Sequence, residues 1–310
     1  MTTLSVVSPV HDEQETLDEL ARRLGAALDG LEGIGAEVIL VDDGSRDGSY
    51  PMMVAIAGRD SRFKAVQLSR NFGHQVALSA GVELASGDAV VVMDSDLQHP
   101  PELIAEFVRQ WREGYDVVYG IMTERPEGWF KRITARAFYG LLRRMTKVDM
   151  PAAAGDFRLI DRVAVDAFVS MRERDRYVRG MFAWLGFKQI GVDYVPPPRY
   201  AGRSKYTVRR MSRLAFDAIF SFSVYPLRVV LVFGLFVSLV SFVVGVVSGV
   251  SKYAGIYVVP GWATIVVVVT FIGGIQLIVL GAIGEYIGRI YEEVKARPLY
   301  VVRRTHGFEK

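Results

Sequence analysis

The chain has 310 residues, 37 Lys and Arg against 34 Asp and Glu, a formal net charge of +3 and 51% apolar residues. That length accommodates one full α/β domain plus an appendage, and so mild a basic excess gives no ground for a nucleic acid partner. With no cysteine, the chain can hold no disulfide, thiolate metal site or cysteine nucleophile.

The opening MTTLSVVSPVHDEQE lacks a basic segment followed by a long apolar one, so no cleaved signal peptide is expected. Apolar, β-branched runs follow at LSVVSPV from Leu4, EVILVD from Glu37, KAVQLS from Lys64, DAVVVMD from Asp88 and DVVYGI from Asp116. Runs this short and continuous predict strands buried on both faces. Between the first two, residues 12–31 place Leu17, Leu20, Leu24 and Leu28 at helical spacing. Alternating strand and helix imply an α/β fold with a doubly wound, mostly parallel sheet, whose ligands collect at the carboxyl ends of the strands.

Three of those ends carry charged or polar groups. The first has Pro9, His11, Asp12 and Glu13; the second has Asp42, Asp43, Gly44 and Ser45; the fourth has Asp94, Ser95, Asp96, Leu97, Gln98 and His99. A lone Asp-x-Asp is common by chance, and an acid after a strand can simply cap the next helix. Here Pro100 and Pro101 prevent the strand from continuing and hold both carboxylates at its tip. Two carboxylates and an amide oxygen are hard ligands suited to Mg²⁺ or Mn²⁺ carrying substrate phosphates. Neither G-x-G-x-x-G nor G-x-x-x-x-G-K-[ST] is present, which removes the usual dinucleotide and P-loop readings.

From Trp129 to Met145, Phe130, Ile133, Ala137, Leu141 and Met145 recur at helical spacing among Lys131, Arg132, Arg136, Arg143 and Arg144. A second stretch, Tyr206 to Phe222, mixes Arg209, Arg210 and Arg213 with Val208, Met211, Leu214 and Phe222. Basic amphipathic helices of this kind lie in the headgroup plane of a membrane; the alternative is a helix that packs its apolar stripe on the sheet.

Uncharged runs then extend from Val229 to Val250 and from Trp262 to Gly284. Each exceeds the ~18 apolar residues that mark a membrane span. The loop between them carries only Lys252, whereas Arg209, Arg210, Arg213 and Arg228 precede the first and Arg289, Lys295, Arg297, Arg303 and Arg304 follow the second. Positive-inside asymmetry predicts a multi-pass protein of the cell membrane with both termini and the sheet domain in the cytoplasm. Gly234, Gly245, Gly249, Gly273 and Gly274 allow close helix contact, which is compatible with a homo-oligomer.

The blocks SPVHDEQE, VDDGSRDGS, LSRNFGHQ, MDSDLQHPPE, GDFRLIDR, RYAGRSKY and GAIGEYIGRIYEEVKARPLY, in this order, resemble the family-2, GT-A-type glycosyltransferases. Within them the likeness is to polyprenyl-phosphate hexosyltransferases: bacterial undecaprenyl-phosphate glucosyltransferases and dolichyl-phosphate mannose synthases. The resemblance implies a catalytic GT-A domain over 1–205, a juxtamembrane amphipathic helix over 206–228, two spans within 229–284 and a cytoplasmic tail over 285–310. It further implies inverting transfer of a hexose from UDP-glucose, or alternatively GDP-mannose, to a polyprenyl phosphate. A catalytically inactive membrane scaffold is the reading from a different class.

Carried over by block, the resemblance assigns nucleotide-sugar binding to Pro9, His11, Glu13, Asp43, Asn71, Gly73, Asp94, Ser95, Arg199 and Lys205. Metal binding falls to Asp94, Asp96 and Gln98, and catalysis to Asp96, Asp156 and Arg158. His11 and His99 are open to a purely structural role, and Arg70 to either phosphate contact or solvation. Arg158 suits a lipid phosphate because a guanidinium engages oxyanions through two hydrogen bonds. Asp156 is the usual base in such sites, yet a phosphate acceptor with a second pKa of about 6 is already ionised, so it is free to orient instead. Where many relatives carry a basic residue, two places after Gly120, this chain has Met122; either Arg125 and Lys131 take over that contact or the acceptor site differs.

Overall fold

The β-branched runs become the centre of a sheet because Val and Ile fit a pleated backbone that is covered on both sides. The computed structural model describes residues 2–123, 154–197, 225–254 and 261–308. Outside these lie both expected amphipathic helices, over 129–145 and 206–222, as well as Arg125, Lys131, Arg199 and Lys205. The five expected strands are β1 (Thr2–Val10), β2 (Ile34–Asp42), β3 (Phe63–Leu68), β4 (Ala89–Val92) and β5 (Val117–Met122). Three more, β6 (Ala154–Asp161), β7 (Gln189–Tyr194) and β8 (Val302–His306), complete the order β7-β5-β6-β4-β1-β2-β3-β8 among the described residues.

Strands β1 to β4 are mutually parallel, as the alternating pattern requires. Beyond them the sheet is mixed: β6 runs antiparallel to both β4 and β5, and β8 antiparallel to β3. Between the strands sit α1 (Leu17–Asp29), α2 (Ser49–Arg59), α3 (His74–Leu84), α4 (Ile104–Arg112), α5 (Arg162–Ser170) and α6 (Val178–Leu185). Leu17, Leu20, Leu24 and Leu28 of α1 are buried in the same core as Leu4, Val6 and Val10 of β1, each such side chain contributing about 1.5–3 kcal/mol. On the opposite face α3 comes so close that a Cβ on Gly81 would stand 2.3 Å from Val7 Cγ1. A larger residue there would force helix and sheet apart.

Glu37 is an acid set among these apolar strands, and it is 6% exposed. Its carboxylate accepts hydrogen bonds from Ser5 Oγ (2.6 Å), Lys64 Nζ (2.5 Å), and the amide and hydroxyl of Ser86 (2.7 and 2.8 Å). Burial alone would raise its pKa, but these donors outweigh it and hold it down to about 2. An acid depressed in the folded state stabilises at neutral pH and loses that contribution as pH falls through its unfolded value, near 4.5, toward 2. The contribution is on the order of 3 kcal/mol at most. Glu37→Gln should therefore lower the melting temperature at pH 7 and flatten its fall between pH 4.5 and 2; a variant as acid-sensitive as the parent would count against this network.

The chain forms two units, residues 1–207 with 297–310, and residues 208–296. Residues 297–310 thus join the first unit, whereas the sequence reading set 285–310 apart as a tail. Strand β8 pairs along β3 from Leu68↔Val302 to Ala65↔His306, and the Ser69 amide donates to the Val301 carbonyl (2.8 Å). Tyr300 adds a hydroxyl bond to Glu83 of α3 (2.9 Å), and Arg174 donates to the Arg297 carbonyl (2.6 Å).

The second unit contains α7 (Tyr225–Tyr253) and α8 (Trp262–Val294). Both are long and apolar enough to cross a membrane, with windows at Val230–Val247 and Val267–Val294 of mean hydropathy 2.8 and 2.3 and no buried share. At 33 residues, α8 rises about 50 Å, well beyond the ~30 Å of bilayer hydrocarbon. Its last turns carry the paired Glu285 and Arg289 (2.9 Å).

Candidate active site

Parallel strands deliver their carboxyl ends to one edge, and three acidic tips meet there. At the end of β1, Pro9 is buried while His11 and Glu13 are partly exposed. Asp12 adopts a left-handed backbone, φ +54°, an uncommon conformation for a residue with a side chain. It is fixed by cross-links to the next tip: its amide donates to Ser45 Oγ (3.0 Å), and its carboxylate accepts from the Arg46 amide (2.8 Å). The Glu13 amide donates to Ser49 Oγ (3.1 Å).

At the end of β2, Asp43 is 3% exposed, and both its oxygens accept main-chain bonds, from the Phe72 amide (2.7 Å) and the Gly73 amide (2.9 Å). Burial raises its pKa, against the pull of those two amides and of His11. The side chain therefore ties down the loop that carries Asn71 and Gly73, so the three residues assigned to the nucleotide pocket form one unit. Gly44 follows in the left-handed region, φ +68°, pressed against the main chain of Arg70 and Asn71. Arg70 is exposed and lies over the Phe72 ring at 4.2 Å.

The β4 tip carries the paired acids. The Asp94 amide donates to His99 Nδ1 (2.9 Å), so in neutral His99 the proton sits on Nε2, which faces Asp94 Oδ2 at 3.7 Å. His99 is 4% exposed and stacks on Phe157 of β6 at 4.9 Å; of its two readings, this places it behind Asp94. Asp94 Oδ1 is buried and accepts no hydrogen bond, although His74 Nε2 stands 3.4 Å away. Asp96 Oδ1 accepts from the Gln98 amide (3.1 Å). In the same turn Ser95 is 5% exposed and Leu97 is left-handed at φ +63°, strain of the kind that concentrates at functional sites.

Strand β6 lies beside β4, Val92 opposite Arg158, and so brings Asp156 and Arg158 to the same neighbourhood. Asp156 is 8% exposed and is engaged by Arg179 of α6 through two parallel bonds, Nε to Oδ1 (2.7 Å) and Nη2 to Oδ2 (2.8 Å). Burial would raise its pKa; Arg179, Arg158 and His74 overcome that and hold it well below the usual carboxylate range. Arg158 is 3% exposed, donates through Nη2 to the Gly155 carbonyl (2.7 Å) and lies over the Phe182 ring at 5.1 Å. Its Nε has no hydrogen-bond partner, and burial pushes its pKa down to about 10.

Of the residues assigned from sequence, the structure gathers Asp94, Ser95, Asp96, Gln98 and His99 at one tip. His74 stands 3.4 Å from Asp94 and helps to lower the pKa of Asp156, which couples that tip electrostatically to β6. Arg179 was missed: it follows no strand, so a search of strand ends passes over it. Among the described residues, no three His, Asp or Glu side chains converge as a metal cluster. Two hard acids with one buried, unbonded oxygen nevertheless fit an ion that takes its other ligands from substrate phosphates and water.

The sequence model described as "Glycosyl transferase family 2" matches residues 5–168, more than half of the chain. An uncharacterised glycosyltransferase of Synechocystis sp. is 44% identical over 307 residues, covering 99% of this chain and 96% of its own. A prophage-derived bactoprenol glucosyl transferase of Shigella flexneri is 36% identical over 304 residues, covering 98% of each. Among solved structures, glucosyl-3-phosphoglycerate synthase from Mycobacterium tuberculosis in complex with phosphoglyceric acid superimposes with a TM-score of 0.51 at 20% identity, over 71% of this chain and 79% of that one. Its complex with Mn²⁺, UDP and glucosyl-3-phosphoglycerate gives a TM-score of 0.50 at 18% identity, over 71% and 78%. These two likenesses are of fold, a GT-A-like mixed α/β sheet.

Proposed function

We propose that this chain, which belongs to glycosyl transferase family 2 and is a glycosyltransferase, moves glucose from UDP-glucose to a polyprenyl phosphate with inversion at the anomeric carbon. The observation that carries the reading is the β4 tip, where Asp94 presents a buried oxygen with no hydrogen bond beside Asp96. An unsatisfied buried carboxylate oxygen is costly, and a cation brought by a substrate diphosphate relieves that cost. The acceptor class is supported by the bactoprenol glucosyl transferase of S. flexneri, matched nearly end to end.

In this reading Asp94, Asp96 and Gln98 hold Mg²⁺ or Mn²⁺. The ion supplies charge stabilisation to the departing nucleoside diphosphate, a large electrostatic requirement of the reaction. Asp43 and Gly44 set the loop that carries Asn71 and Gly73 against the nucleotide. Arg199 and Lys205 are proposed to reach the diphosphate, and Arg125 and Lys131 the acceptor side.

Asp156 is held ionised by Arg179 and Arg158, a poor state for a general base, which works best with a pKa near the working pH. Its proposed part is to orient. The phosphate oxygen of the acceptor is anionic at neutral pH and attacks the anomeric carbon in line as the nucleotide leaves from the opposite face.

Helices α7 and α8 are proposed as membrane spans. The pairing of β8 with β3 brings the segment after α8 back to the unit that precedes α7. It supports placing both flanks on one side of the membrane, and their basic residues favour the cytoplasm. Membranes containing the protein, incubated with radiolabelled UDP-glucose or GDP-mannose and extracted with organic solvent, should carry acid-labile label in the lipid phase from UDP-glucose alone. Chelation of divalent ions should reduce that label at least a hundredfold. Label from GDP-mannose alone would transfer the reading to a mannosyl donor, and no lipid label from either would defeat it.

A further inference from the structure

Two guanidinium groups flank Asp156, and they differ in what can reach them. Arg158 is 3% exposed, shielded beneath the Phe182 ring, with Nη2 committed to the Gly155 carbonyl. Arg179 sits in the first turn of α6 with 30% of its side chain exposed, and spends Nε and Nη2 on the two oxygens of Asp156. That paired edge, two parallel N–H donors set for two oxygens of one anion, is the geometry by which arginine also engages a phosphate.

We infer that Arg179 is a contact for the acceptor phosphate in addition to Arg125 and Lys131, and that Asp156 occupies its Nε and Nη2 edge as a stand-in anion until the phosphate displaces it. This inference rests on the polyprenyl-phosphate reading above. Three features support it. The carboxylate and the phosphate are both oxyanions, so Arg179 keeps two hydrogen bonds through the exchange, while Asp156 gives up its two. Arg158, behind Asp156, supplies a second positive charge that remains when Arg179 changes partner. His74 stands 3.4 Å from Asp94 and its charge is felt at Asp156, so the Arg179 edge lies within electrostatic reach of the acids assigned to the donor.

The competition gives a sign that simple loss of a charged residue does not. Removing Arg179 should weaken acceptor binding, whereas removing its competitor should strengthen it. Full-length protein in detergent, titrated calorimetrically with citronellyl phosphate, should show at least tenfold weaker binding in Arg179→Gln and at least threefold tighter binding in Asp156→Asn. The double variant should return to the weak value. Affinity for UDP with Mn²⁺ should stay within twofold throughout, and citronellol, lacking the phosphate, should not bind. Inorganic phosphate should show the same order of variants if the headgroup alone is recognised, and the lipid probe alone should bind if the prenyl chain is also required; either result is consistent with the inference.

Unchanged binding in Arg179→Gln, a parallel loss of UDP affinity, or weaker or equal binding in Asp156→Asn would overturn it, as would a parent protein that binds neither phosphate probe. If Arg179→Gln does not fold, as judged by its melting curve, the direction of the Asp156→Asn change decides alone. Failure of the acceptor reading is detected separately, by the absence of lipid-linked label in the membrane assay, and does not depend on the order of these variants.

Discussion

Asp94→Asn should lower transfer by about 10²–10³-fold, the loss typical when one preorganised electrostatic contact to a developing charge is removed. The substitution preserves shape and the main-chain bond from the Asp94 amide to His99 Nδ1, so the tip should remain folded and the melting temperature should move by only a few degrees. What it removes is the anionic oxygen that stands buried without a hydrogen bond. Initial rates with UDP-glucose and a polyprenyl phosphate, together with Mn²⁺ titration followed by electron paramagnetic resonance, separate the two consequences. Weaker metal binding with an intact fold is the expected pair of results. An Asp94→Asn enzyme retaining more than a tenth of its activity would remove the β4 tip from the chemistry.

The second large effect is expected from a single methyl group. Gly44→Ala places Cβ 2.5 Å from both the Arg70 carbonyl carbon and the Asn71 nitrogen, at a backbone φ of +68°. Those neighbours are main chain, so no side-chain rotation relieves the overlap, and the left-handed conformation itself costs an alanine about 1–2 kcal/mol. To make room, the loop after β3 must move away from β2, and the Phe72 and Gly73 amides then leave the buried Asp43 carboxylate without its partners. A buried charge stripped of its hydrogen bonds adds a few kcal/mol more. Destabilisation of at least ~3 kcal/mol follows, accompanied by a tenfold or greater loss of UDP affinity. Thermal unfolding and UDP titration on the same preparation test both, and a variant within 1 kcal/mol of the parent would show that the loop is not held as described.

The central strands were legible because burial on both faces leaves a continuous apolar run, as in AVVV of β4 and the buried stretch of β1. Strand β6 escaped notice because its role forces polar residues into it: Asp156 and Arg158 interrupt the pattern of Phe157, Leu159 and Ile160. Strand β8 has the opposite cause. All five of its residues are exposed, so main-chain hydrogen bonds hold it while its side chains give no periodic signal. The acids at the strand tips were equally legible, since the sheet topology dictates where strand ends meet. The partner of Asp156 was not, because the pairing of Arg179 with β6 spans 23 positions and depends on how α6 folds back.

The position of β8 has a consequence for how the protein is made. Chains emerge from the ribosome amino terminus first, and domains generally fold as they appear. Here the strand that covers the side of β3 away from β2 is encoded after both hydrophobic helices. Until β8 has been made, β3 presents bare amide and carbonyl groups, a template for pairing with another nascent chain. A premature stop between Ala296 and Val302 would thus leave an enzyme with every assigned site residue present and its sheet permanently unfinished on one side.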